Sequence, residues 1–148
     1  MKLAGIHHIA IIASDYEKSR AFYVETLGFP IVSEHRRPER NDVILNLRVD
    51  EHTQIELFGM PCPPPRVTSP EACGLRHLAF HVEDIDAAVR ELAEKGVVCE
   101  PIRTDPYTGN RMTFFRDPDN LPLELQEAGA VPLHPGLRFA QNDRNQGG

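Results

Sequence analysis

The apolar and polar positions along the chain follow a pattern that occurs twice. "HHIAIIASDYEKSRAFYVETLGF", His7 to Phe29, opens on an apolar run, meets Asp15, places Tyr16, Ser19, Phe22, Tyr23 and Leu27 at helical spacing, and stops at Gly28. "RHLAFHVEDIDAAVRELAEKGVV", Arg76 to Val98, does the same with Asp84, a stripe of Ile85, Ala88, Val89 and Leu92, and Gly96. Both read as a strand followed by a helix. Each Asp is placed to cap the free N–H groups of the first helical turn, and each Gly to adopt the left-handed conformation that ends a helix. Three strand-like runs follow each helix: "FPIVSEH", "VILNLRV" and "TQIELFG" in the first copy, "VVCEPIR", "RMTFFRD" and "LPLELQE" in the second. The prediction is an α+β fold of two βαβββ modules, residues 5–59 and 75–127, making one domain over 1–127.

The prolines of "MPCPPPRVTSPEACG", residues 60–74, forbid helix or central strand and predict an extended linker. At ~3.1 Å per residue it reaches roughly 40 Å, enough to fold the second module onto the first or to hand it to another chain. Beyond residue 127 the periodicity is lost. Residues 128–148 read as a partly flexible tail that docks through Leu133, Leu137 and Phe139.

Against this frame the adjacent His7 and His8 separate. Side chains on a strand alternate faces, so the two point in opposite directions. His8 aligns with His77, 69 residues on, while His7 aligns with Arg76. The repeated imidazole is the candidate for chemistry, and His7 takes a structural role. Glu56 in "QIELF" and Glu124 in "PLELQ" stand 68 residues apart, each between apolar neighbours on half-buried strands. A buried carboxylate is costly unless it is paired or binds a cation. Two imidazoles and two carboxylates suit one divalent first-row metal, Ni, Zn, Co, Mn or Fe, with water in the open positions. Such a metal acts as a Lewis acid on a substrate's vicinal oxygens. No organic cofactor is indicated.

Composition narrows the remaining classes. The chain has 148 residues, 41% hydrophobic and 26% charged, which describes an ordinary globular domain. No apolar run approaches the ~20 residues of a membrane span. Sixteen basic against 22 acidic residues give a net charge of -6, without a basic cluster interleaved with aromatics, so nucleic acid is not an expected partner. Cys62, Cys73 and Cys99 are odd in number and lack the spacing of a zinc knuckle. They read as small buried or half-buried side chains in a reducing, cytoplasmic setting.

On "HHIAIIASDYEKSRAFYVETLGF", "QIELF", "GLRHLAFHVEDIDAA" and "FFRDPDNLPLELQE", the chain resembles the vicinal oxygen chelate superfamily, in particular its glyoxalase I branch, over residues 5–127. The resemblance implies a curved mixed sheet forming a cleft, a homodimer, a small-molecule substrate, and the metal ligands His8, Glu56, His77 and Glu124. It also implies a metal-dependent lyase or isomerase converting a hemithioacetal of a 2-oxoaldehyde, such as methylglyoxal, through an enediolate. Glu124 would be the base, with Glu56 as its counterpart. The "DPDN" turn, residues 117–120, resembles the turn before the family's final ligand strand.

Glutathione-using members carry an Arg four residues after the first ligand and an Asn four after the second, and Ile12 and Met60 stand there instead. Arg111, Arg103 and Arg48 are the alternative cationic anchors, and Tyr107 and His81 are further cleft candidates. Acyl-CoA epimerases of the superfamily resemble this pattern with Gln in place of Glu56. Extradiol dioxygenases and fosfomycin-type transferases use three protein ligands, and drug-sequestering members lack them.

Overall fold

A computed structural model of the chain describes residues 1–127. The predicted tail and its Leu133, Leu137 and Phe139 lie outside the described residues. The observed order is β1 (His8–Ala13), α1 (Tyr16–Ala21), a π-helical turn (Phe22–Thr26), β2 (Ile31–Arg37), β3 (Asp42–Arg48) and β4 (Gln54–Gly59). The second module then runs β5 (Leu78–Val82), α2 (Ile85–Glu94), β6 (Arg103–Thr104), β7 (Arg111–Arg116) and β8 (Pro122–Glu127). They form two four-stranded mixed sheets, ordered β1-β4-β3-β2 and β5-β8-β7-β6. In each, the first strand lies parallel to the last, and the other pairings are antiparallel.

The helix starts form as their sequences require. Asp15 accepts from the Lys18 N–H at 3.1 Å and Asp84 from the Ala87 N–H at 2.9 Å. Gly28 and Gly96 end the helices at φ +78° and +80°. The first helix does not stay α-helical to Leu27. The Leu27 N–H reaches back five residues to the Phe22 carbonyl at 2.9 Å, and the wider turn sets Phe22 and Tyr23 edge to face at 5.2 Å. Gly59 is needed for contact: a Cβ there would stand 2.7 Å from the Tyr16 Cβ, so α1 lies directly on β4.

Period-two alternation builds the core. Val43, Leu45 and Leu47 of β3, Ile55 and Leu57 of β4, and Ile11 and Ala13 of β1 are buried on one face of the first sheet. Phe115, Leu123 and Leu125 do the same for the second, and Ile85 and Leu92 of α2 join the same cluster. One core therefore serves both modules.

Two expectations change. The strand expected over "VVCEPIR" is reduced to Arg103–Thr104. Pro101 has no N–H to offer a ladder, and contact with β7 is made instead by the Glu100 N–H to the Phe114 carbonyl, 2.8 Å, and by the Thr113 hydroxyl to the Glu100 carbonyl, 2.7 Å. Cys62 and Cys73 are exposed because the linker runs over the surface. Only Cys99 is half-buried, and burial pushes its thiol pKa up.

Candidate functional site

The strand register places the repeated residues identically in the two sheets. Ala10 lies opposite Glu56 across the parallel pair β1/β4, and Ala79 lies opposite Glu124 across β5/β8. The histidine two residues before each alanine therefore shares the face of the carboxylate. His8 Nε2 stands 3.7 Å from Glu56 Oε2, and His77 Nε2 stands 3.0 Å from Glu124 Oε2. Each glutamate lies between two core leucines or isoleucines and turns to the opposite face of its sheet.

The two pairs differ in their surroundings. The Glu124 side chain is 5% exposed and that of Glu56 24%. Gln126 donates to Glu124 Oε1 at 2.8 Å. The His77 ring meets Phe114 edge to face at 5.3 Å, and its Nδ1 is buried with no hydrogen-bond partner among the described residues. An unmet buried nitrogen of this kind calls for a ligand, water or neighbouring chain to complete the site.

The donor chemistry fits a divalent cation. Two cis donors at ~2.1 Å from a first-row metal stand about 3.0 Å apart, the separation of His77 and Glu124. The His8–Glu56 spacing is wider. Among the described residues, one chain gathers no group of three or more such side chains. The four predicted ligands are thus brought together as two pairs, because both modules turn their apolar faces into one core and their His–Glu faces out of it.

The remaining candidates divide by face. Arg103 lies over the Phe114 ring at 5.3 Å and pairs with Glu100 at 3.2 Å, next to the His77–Glu124 pair. His81 shares that face by alternation along β5. Arg111 does not: it shares the opposite face of β7 with Thr113 and Phe115, held by Asp86 at 2.9 Å and Glu127 at 3.5 Å. The hydrogen bond and charge of Asp86, with Glu127, raise its pKa further and hold it on that face. Tyr107 projects fully from the β6–β7 loop, where its N–H bonds Asp105 at 2.7 Å. Arg48 ends β3, its N–H bonded to the Pro30 carbonyl. His7 also departs from expectation. Its Nδ1 lies 2.9 Å from that of His8 and the two rings meet edge to face at 5.1 Å instead of pointing apart.

Two residues that carry structure were legible only as a turn. Asp117 accepts the Tyr23 hydroxyl at 2.9 Å and the N–H groups of Asp119 and Leu121. Asp119 accepts the Ser14 N–H at 3.0 Å and the Ser14 hydroxyl. The "DPDN" turn therefore ties the second module to the start of α1 in the first. Burial pushes the Asp117 carboxyl above its ordinary range, against the pull of its hydrogen bonds.

Comparison with known proteins agrees with this architecture. The chain is 61% identical over 127 residues to the Bacillus subtilis protein YwkD, covering 86% of this chain and 99% of that protein. It is 31% identical over 158 residues to a 2-epi-5-epi-valiolone epimerase from an Actinomyces species (93% and 84%), and 30% identical over 133 residues to human mitochondrial methylmalonyl-CoA epimerase (85% and 75%). The crystal structure of a glyoxalase family protein from Enterococcus faecalis superposes with a TM-score of 0.80 at 50% identity, over 86% of this chain and all of that one. Residues 5–125 match the family model, and with the repeated βαβββ sheets they establish that the chain belongs to the Glyoxalase/Bleomycin resistance protein/Dioxygenase superfamily.

Proposed function

We propose that the protein is a divalent-metal-dependent enzyme that moves a proton at a carbon beside a carbonyl, a glyoxalase I-like lyase or isomerase. Its substrate would be small and carry vicinal oxygens, such as the hemithioacetal of methylglyoxal. The observation that carries this reading is the His–Glu pair repeated in one register on both sheets, turned out of the core each time. When bound by His8, Glu56, His77 and Glu124, a Ni, Zn, Co, Mn or Fe ion would offset negative charge on the substrate oxygens. Glu124 and Glu56 are the groups able to take the proton and return it to the neighbouring carbon.

We infer that the four donors meet across a homodimer. The two pairs turn out of the core that their modules share, so a second copy supplies the complementary pair. The edge strands β1 and β5 support this, since among the described residues each has one neighbour within its own sheet. No helix among the described residues is long and apolar enough to cross a membrane, consistent with a cytoplasmic enzyme.

A second reading is favoured by the comparisons. The Actinomyces and human relatives are named epimerases, and epimerisation uses the same removal and return of an α-proton. One experiment tests both readings: metal content of the purified protein, isomerisation of hemithioacetals of several thiols, and deuterium uptake by 2-oxygenated acyl substrates in D2O. Near-stoichiometric metal with hemithioacetal turnover is expected. Deuterium uptake without that turnover assigns the epimerase reading, and absence of metal binding overturns the site.

A further inference from the structure

The two half-sites share a register and part company two residues beyond each carboxylate. On the same strand face stand Gln126 in the second module and Phe58 in the first. Gln126 Nε2 donates to Glu124 Oε1 at 2.8 Å while Oε2 of that carboxylate faces His77 at 3.0 Å, so both oxygens are directed. Phe58 has no donor, and its ring instead underlies the Arg37 guanidinium at 6.0 Å.

Among the described residues nothing takes the place of that amide. Asn46, directly across the sheet from Glu56, donates to the Ser33 hydroxyl at 3.1 Å. Arg37 is committed to both oxygens of Asp42, at 2.7 and 2.6 Å. Among the described residues no hydrogen-bond donor reaches the Glu56 carboxylate, whose nearest partner is His8 at 3.7 Å.

We propose that Gln126 is a positioning residue that orients Glu124 toward a divalent cation, making the second module's pair the tighter half of the site. The inference rests on the metal-centred reading above. A carboxylate already held in one rotamer loses less freedom when it binds, and its free oxygen presents a fixed lone pair. Hydrogen-bonding partners of ligating side chains typically govern metal affinity by 10–100-fold. Gln126 touches neither cation nor substrate, so its effect runs through Glu124.

The test is a titration of the full-length protein with Zn2+ in competition with a chromophoric chelator. Gln126→Met keeps length and bulk but removes the donor, and affinity is expected to fall by about tenfold or more. Phe58→Met, the mirror substitution, leaves it unchanged. Should Gln126→Met fail to fold, Gln126→Asn carries the same expectation, since it withdraws the amide by one carbon. Equal affinities for wild type and the Gln126 variants overturn this inference while leaving the metal site standing. A wild-type protein that binds no Zn2+, Ni2+ or Co2+ overturns both.

Discussion

The two modules follow the same chain path and present the same His–Glu pair, yet the second holds its pair at 3.0 Å and the first at 3.7 Å. The parallel pairing of first and last strands reproduces the placement of the donors in both. Their tightness is set by neighbours that the repeat does not preserve, with Gln126 bonded to Glu124 where Phe58 stands beside Glu56. The turns before the last strands differ in the same sense. Asp50 accepts from its near neighbours, the His52 and Thr53 N–H groups at 2.7 and 2.8 Å. Asp117 and Asp119 reach from one module into the other. A duplicated fold thus keeps its backbone geometry while the copies specialise, one holding its carboxylate and joining the halves, the other leaving its carboxylate looser.

Replacing the carboxylates tests that comparison most severely. On the proposed proton-transfer role, Glu124→Gln and Glu56→Gln are each expected to lower kcat/KM by about 10²–10⁴. Zn2+ affinity is expected to separate the two, with the larger loss for Glu124→Gln. Equal losses of affinity would show that the tighter geometry has no energetic counterpart.

Stability offers the next contrast. Asp117→Ala leaves the buried Tyr23 hydroxyl and the Leu121 N–H without their acceptor, a cost of about 2–6 kcal/mol at 1–3 kcal/mol per orphaned group. Asp50→Ala disturbs an exposed local turn, and urea denaturation should place it well below Asp117→Ala. The carboxyl of Asp117 is raised above its unfolded value, so its favourable contribution is complete below an unfolded pKa of about 3.9 and declines as pH rises through the folded value. Asp117→Asn keeps one oxygen for the Asp119 and Leu121 N–H groups and presents an NH2 that donates to the Tyr23 hydroxyl, without that charge. Its melting temperature relative to wild type should therefore improve from pH 3.5 to pH 7, and a gap independent of pH would refute the account.

The smallest effects separate two arginines of the second module. Arg103→Met, on the Glu124 face, is expected to raise KM for an anionic substrate severalfold. Arg111→Met is expected to leave KM unchanged, because Asp86 and Glu127 hold that guanidinium on the face opposite Glu124. Steady-state kinetics on the two variants would reverse this assignment if Arg111 gave the larger change.

Much of this was legible along the chain because the signals are short-range. Asp15 and Asp84 cap their helices with N–H groups three residues away. Alternation along β4 and β8 alone places Glu56 and Glu124 opposite their core neighbours. Where local context differed, the reading failed. The His7 ring turns beside that of His8, and Pro101 interrupts the run expected to extend β6. A comparison of the repeats already contained Gln126 against Phe58, but nothing local marks the amide as bonded to Glu124.

The sequence by itself determined the repeated βαβββ pattern, its caps and breaks, and the strand faces that carry His8, Glu56, His77 and Glu124, because periodicity and capping act over a few residues. Only the tertiary structure decided that the four donors form two pairs within one chain. It also decided that the "DPDN" turn fastens one module to the other and that Arg111 is held by Asp86 and Glu127 on the face opposite Glu124. Those outcomes depend on which faces meet when two sheets share one core. That choice is made by contacts about 100 residues apart, such as Ser14 with Asp119, beyond the reach of any local pattern.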